Sequence, residues 1–177
     1  MANKEALREL QARLAERLQA VRTQARSASW LAVECGGHGF LLPLHEAGEI
    51  FALAPIVAVA HVQPWFLGVA NLRGHLNGIV DLAAFLGLGL GFGRPEALRD
   101  ESRLVAFNAA LDTNCALLVG RLAGLRSAEQ LAPAPDAAAV SVPAFVGDRW
   151  RDAAGRPWQE LRLGALARED TFLTIVG

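Results

Sequence analysis

The chain has 177 residues, a formal net charge of −1, 53% apolar and 20% charged residues. These values exclude a disordered chain and a generally polybasic one, and they allow a core without disulfide or metal staples. Cys35 and Cys115 lie far apart without CxxC spacing, so no structural disulfide is expected and a reducing, cytoplasmic setting is. The start "MANKEALREL" is charged and lacks a signal-peptide core. The best apolar run, "LVAFNAALDTNCALLVG", is broken by Asn108, Asp112, Thr113 and Asn114, so no membrane insertion is expected.

In chain order, Asn3 to Arg26 contains no Gly or Pro, and Leu7, Leu10, Leu14, Leu18 and Val21 fall on one helical stripe. The spacing predicts an amphipathic helix within 1–28. Alone such a helix is marginal, so it needs an apolar partner, either the body of the chain or another protein. From Trp30 the rhythm changes to short apolar runs. "WLAVECGGHGFLLPL" reads as a hairpin turning at Gly36 and Gly37, and "FLLPLHEAGEI" as a strand closed by Glu49. "IVAVAHV", "WFLGVANL" and "LNGIVDL" read as further strands, the last two joined at Arg73–Gly74. Gly74 allows that turn, and Asp81 is placed as N-cap of a short helix in "DLAAFLGL".

"GLGLGFGRP" is a poor phosphate loop, because Pro95 stands where a long helix should begin, and an inter-lobe loop is the expectation. "RLVAFNAA" and "NCALLVGRLAGL" resume the strand pattern. Set back 75 positions, "CALLVGRLAGL" falls on "FLLPLHEAGEI" and "VAFNA" on "WLAVE" without a gap, a weak internal repeat. "SAEQLAPAPDAAAVSVP" reads as a loop. Trp150 and Trp158 flank a hairpin loop around Gly155, "ALARED" is a helical turn and "TFLTIV" a closing strand. Many short strands with few helices predict an all-β fold of small barrels.

Catalytic chemistry is hard to find. His38, His45, His61 and His75 show no metal-ligand spacing, and Glu46 and Glu49 stand near one another without a defined partner. Nucleophile elbows and Walker loops are absent from the sequence. An enzyme is therefore not expected. A metal-dependent enzyme built from the histidines and Glu46, or a small-barrel nucleic-acid-binding protein, are the competing classes. The charges at strand ends say more. Guanidinium and carboxylate match in fork geometry, which predicts a Glu49–Arg73 bridge across neighbouring strands. Exposed, the bridge is worth about 0–1 kcal/mol; buried, loss of one partner costs about 3–5 kcal/mol.

"PWFLGVANLRGHLNGIVDL", following "HGFLLPLHEAGEI", resembles the CheW-like family of chemotaxis coupling proteins. The resemblance rests on spaced blocks: Glu49-Ile50, Pro64-Trp65 before Gly68, Asn71-Leu72-Arg73-Gly74, Val80-Asp81-Leu82, then "LLVGRLAGLRSAEQLAPAP" and the terminal "W…ELRLGAL…FLTI". It implies two packed SH3-like five-stranded β-barrels and no catalysis, cofactor or metal. The expected division is an N-terminal helix over 1–28 and a CheW-like domain over 29–177, with lobes near 29–90 and 101–165 and a last strand near 171–176.

The resemblance further implies an adaptor between a chemoreceptor cytoplasmic tip and the regulatory domain of a CheA-type histidine kinase. Such an adaptor is cytoplasmic and recruited to membrane receptor arrays, and it does not bind nucleic acid. Its contacts would use exposed apolar strands and the groove between barrels, with Glu49 and Arg73 at or near the receptor-facing surface and Ala47 and Ile50 as lesser candidates. Gly78 stands where the family usually has proline, which is expected to loosen the strand. The long N-terminal helix and the tryptophan-bearing hairpin resemble the family members that serve type IV pilus (twitching motility) signalling.

Overall fold

The computed structural model describes residues 29–88, 100–134 and 142–177. The expected N-terminal helix and most of "GLGLGFGRP" lie outside the described residues. Tight turns organise the strands into hairpins. β1 (Ser29–Cys35) and β2 (His38–Pro43) pair antiparallel around Gly36 and Gly37, both at positive φ. β4 (Phe66–Leu72) and β5 (His75–Asp81) turn at Arg73 and Gly74. β10 (Val146–Asp152) and β11 (Pro157–Leu161) bring Trp150 opposite Trp158. Short helical turns come after two of these hairpins, Leu82–Phe85 and Leu163–Leu166.

Three expected strands take other forms. "FLLPLHEAGEI" breaks after Pro43, and β3 (Ala47–Phe51) starts anew beyond a turn in which the Glu46 N–H donates to the Pro43 carbonyl at 2.9 Å. "IVAVAHV" forms only isolated bridges, Val57 to Val69 and Val62 to Val176. "TFLTIV" opens as a helical turn, Asp170–Leu173, which drives Phe172 into the core at 4% exposure. There its ring stacks on Trp65 and Phe107, with centroids 6.0 Å away in each case. Burying a ring of that size contributes about 3 kcal/mol, more than a frayed terminal strand would return. Conversely, the segment expected to be a loop after Arg126 supplies a short strand, β9 (Leu131–Pro133), along β10.

The strands make two sheets. With β6 (Arg103–Phe107), β7 (Cys115–Val119) and β8 (Arg121–Ser127), the orders are β8-β1-β2-β11-β10-β9 and β3-β6-β7-β5-β4. The chain does not divide near residue 90 as expected. All of β3 to β7 belongs to the five-stranded sheet, which is inserted between β2 and β8 of the six-stranded one. The chain crosses at Leu44–Glu46 and again at Gly120 alone, between β7 and β8. Two registers explain this: β1 pairs with β8 along its free side, and β3 pairs with β6. Local sequence cannot reveal such a crossover.

Side-chain alternation then sorts three cores. Trp30, Ala32, Leu41 and Trp158 form a cluster on one face of the six-stranded sheet. Ala70, Leu72, Ile79, Leu104 and Leu118 form one on the five-stranded sheet. The largest cluster lies between the sheets and draws Val33, Leu42, Val80, Leu117 and Leu161 from both. Gly78 does not loosen β5. Its N–H donates to the Asn114 carbonyl at 3.0 Å, and a Cβ there would meet the Phe66 ring at 3.0 Å. A proline at this position would forfeit that donor.

Candidate functional site

The hairpin β4–β5 has a two-residue turn with φ of +50° at Arg73 and +87° at Gly74. Both values belong to a type I′ turn, whose first central position usually carries Asn, Asp or Gly. Asn71 completes the turn, its Oδ1 accepting from the Gly74 N–H at 2.7 Å. An arginine held left-handed costs about 1–2 kcal/mol. Nothing in the turn itself requires arginine.

What the arginine does is visible in its contact. Arg73 Nη1 donates to Glu49 Oε1 at 2.8 Å, with side-chain exposures of 73% and 55%. The expected bridge is present, but not across neighbouring strands. Glu49 lies on β3, at one edge of the five-stranded sheet, and Arg73 tips the hairpin at the other. Laid flat, those strands would stand about 14–19 Å apart at the usual strand spacing. The sheet is therefore rolled far enough for side chains from its two edges to meet, and the ion pair marks the seam. At these exposures it adds about 0–1 kcal/mol.

Beside the seam lies an open cleft of about 700 Å³, lined among others by Phe51, Leu72, His75, Asn77, Phe107 and Asn114. Ala47 also lines it, but at 7% exposure it belongs to the shared core and offers a partner little surface. Ile50 is 42% exposed and is not part of the cleft lining. Gly74 and Asp81 serve the fold. Gly74 takes the second left-handed position, and the fully buried Asp81 accepts from the Ala84 N–H at 3.0 Å as N-cap.

Two features of the site go beyond the sequence-based expectation. Leu76, 64% exposed, follows Arg73 by three positions on β5, on the face opposite the cleft-lining His75 and Asn77. Counting by twos from Val80 puts Leu76 on the face of the shared core, one position beyond where that core ends, and this could have identified it. Asn77 is nearly buried, with Nδ2 donating to the His75 carbonyl at 3.0 Å, so the cleft floor carries a fixed amide.

Elsewhere the polar groups hold structure. Glu46 Oε2 accepts from the Gly164 N–H at 3.1 Å, capping a helical turn whose own N-cap, Arg162, gives no side-chain bond. Glu34 takes Nη1 of Arg156 and Nη2 of Arg121 on one oxygen, each at 2.6 Å, and the Arg156 and Arg121 bonds hold its carboxyl below the usual value of 4.5 against the opposing effect of burial. Burial pushes both cysteine thiols up to about 12. Among the described residues, no three His, Cys, Asp or Glu side chains stand close enough to share a metal ion.

Two interlocked sheets, the five-stranded one inserted within the six-stranded one, form the architecture of a single domain. Residues 29–171 match the CheW-like domain, and the chain belongs to that family. The chain is also 31% identical over 169 residues to protein PilI of Pseudomonas aeruginosa, a match covering 92% of this chain and 88% of PilI. In fold it resembles the scaffolding protein TtCheW of Thermoanaerobacter tengcongensis, with a TM-score of 0.62 at 16% identity, over 76% of this chain and 88% of that one. Among the described residues, no helix is long and apolar enough to cross a membrane.

Proposed function

We propose that this protein is a non-catalytic cytoplasmic adaptor that couples a chemoreceptor cytoplasmic tip to the regulatory domain of a CheA-type histidine kinase. The pathway is type IV pilus (twitching) signalling, and the adaptor is recruited to receptor arrays at the membrane. Membership of the CheW-like family and similarity to PilI support the reading. So does a rolled five-stranded sheet of the SH3 type packed against a second sheet of similar order. The single observation that carries the site is Arg73. It is exposed, held at unfavourable φ, paired with Glu49 and on the lining of a cleft, yet it contributes little to folding. Strain of that kind, unrepaid by stability, is a mark of recognition.

The mechanism is positional. Glu49 and Arg73 present a matched charge pair beside apolar surface, Ile50 adds an exposed side chain to β3, and the shared core keeps both sheets in fixed relation. An interface of this kind buries about 1,000–2,000 Å² in total, with a few apolar anchors carrying most of the affinity.

The test is binding of wild type, Arg73→Glu and the swap Glu49→Arg/Arg73→Glu to a receptor-tip fragment and to a CheA-type regulatory domain. Arg73→Glu is expected to lose no more than about 1 kcal/mol of stability, so weaker binding reads the surface rather than the fold. At least one partner should bind the variant about tenfold more weakly, a change of about 1.4 kcal/mol. Undiminished binding of both partners to folded Arg73→Glu refutes the site. Failure of wild type to bind either partner refutes the adaptor.

A further inference from the structure

Ser29 opens β1, and residues 1–28, outside the described ones, lead into it. Leucines flank this point of entry. The Leu44 N–H donates to the Ser29 carbonyl at 2.9 Å, carrying the β1–β2 pairing one step beyond β2. On the other side of β1, Ser127 and Leu125 of β8 stand opposite Ser29 and Leu31. Leu31 and Leu42 face each other across β1 and β2, and both belong to the shared core, at 4% and 0% exposure. Leu125 lies directly across from Leu31, and Leu44 two positions on from Leu42, so both fall on that same face. Yet Leu125 is 59% exposed and Leu44 42%. The apolar face thus runs on past the core, as two uncovered leucines astride the place where the chain arrives from residue 28.

The sequence before Ser29 supplies what such a rim takes. Leu7, Leu10, Leu14, Leu18 and Val21 fall on one stripe of the expected helix, which is marginal without an apolar partner. Spacing agrees. Leu44 and Leu125 are separated by two strand spacings and by two residues along the strands, about 12 Å in all. Leu14 and Val21, two turns apart, are separated by about 10 Å on a helix. The segment from Arg22 to Ala28 spans up to about 23 Å when extended, so it lets the stripe lie over the rim. Charge agrees too. Residues 17–28 carry Arg17, Arg22 and Arg26 and no carboxylate, while Glu129 is exposed two positions past Ser127. A segment tethered this closely meets the rim at an effective concentration on the order of millimolar, which a free partner does not match.

We propose that the chain's own residues 1–28 dock here as an amphipathic helix, with the Leu14–Val21 part of the stripe seated on Leu44 and Leu125 and its arginine-bearing end nearest Glu129. The helix closes the open rim of the core that the two sheets share. Seated so, it keeps its leucines from a second copy or a partner protein. Leu44 and Leu125 do not line the cleft beside the Glu49–Arg73 seam, and the docking does not depend on the adaptor reading.

The experiment is hydrogen exchange on the full chain, read by mass spectrometry. The amides of residues 7–21 should exchange at least tenfold more slowly than those of an unstructured chain, equally at about 1 and about 50 μM protein. An undocked helix of this length gives little such protection. Leu44→Asp/Leu125→Asp should return these amides to within about threefold of the unstructured rate, while the amides of buried β7 stay protected. The milder Leu44→Ala/Leu125→Ala should fall between. Leu173→Asp/Val176→Asp, which also changes exposed apolar residues, should leave residues 7–21 as in wild type. Exchange of residues 7–21 at the unstructured rate in wild type overturns the proposal. So does protection that survives Leu44→Asp/Leu125→Asp, or an equal loss in Leu173→Asp/Val176→Asp. Protection that rises with protein concentration also overturns it, because the occupant would then be a second copy.

Discussion

Gly68 and Gly74 both sit at positive φ on the β4–β5 hairpin, at +132° and +87°, and alanine at the two positions should behave differently. At Gly74 an added Cβ meets nothing within 4 Å. The left-handed penalty of about 1–2 kcal/mol is then partly offset by the stiffer unfolded chain, about 0.4–1 kcal/mol, and the net loss is about 1 kcal/mol. At Gly68 the Cβ would lie 2.8 Å from the Val57 carbonyl carbon and closer still to its oxygen. Backbone cannot yield there without breaking the paired bonds between Val57 and Val69, at 2.8 and 2.9 Å. Two such bonds at about 1 kcal/mol each, added to strain of about 1–3 kcal/mol, make the loss about 3–5 kcal/mol. Urea unfolding measures the totals. Native-state hydrogen exchange locates the loss, with the Val57 and Val69 amides of Gly68→Ala exchanging roughly 30-fold faster. Equal destabilisation by the two alanines would refute the argument, because the Val57 carbonyl would then not be what excludes a side chain at position 68.

Three further outcomes are expected. Glu46→Ala should lose about 1–2 kcal/mol in urea unfolding by uncapping Gly164, whereas His45→Ala, whose ring is exposed and 3.8 Å from Glu46, should stay within about 0.5 kcal/mol of wild type. Cys35 and Cys115, buried and with thiols pushed up to about 12, should resist iodoacetamide in native protein at mildly alkaline pH and react once it is unfolded; labelling followed by mass spectrometry reads this directly. Glu34 has a folded pKa below 4.5, so its stabilisation is full at neutral pH and is lost as pH falls below that value and through the folded pKa. The stability gap between wild type and Glu34→Gln should therefore close on acidification, as followed by thermal melts.

Local chemistry is legible in the residues and crossover is not. The Gly36–Gly37 and Arg73–Gly74 turns and the Asp81 cap are each specified within a few positions, and each stands where the spacing places it. Glu49 and Arg73 can be paired by chemistry alone, yet their true relation, edge to edge across a rolled sheet, depends on three strands between them. "IVAVAHV" has the composition of a strand, but Val57 and Val59 are exposed and only Val57 finds a bridge to β4. The family resemblance makes Ala47 a lesser surface candidate beside Glu49; β3 instead turns Ala47 toward Phe107 and the shared core. The sheet boundaries are hidden for a related reason. One residue, Gly120, carries the chain from one sheet to the other, and no composition shift accompanies it.

The 75-residue offset acquires a meaning from the topology. It lays β1, β2 and β3 on β6, β7 and β8, and the later hairpins β4–β5 and β10–β11 correspond in order, each followed by a helical turn. Each sheet takes its leading hairpin from one half of the chain and its remaining strands from the other. This is the arrangement of a domain-swapped homodimer drawn into a single polypeptide. A half-length chain that exchanged hairpins with a second copy would build the same pair of sheets, so duplication and fusion suffice to produce the fold. A cut within residues 89–99 would leave two fragments that each own strands in both sheets, and they would part only by unfolding.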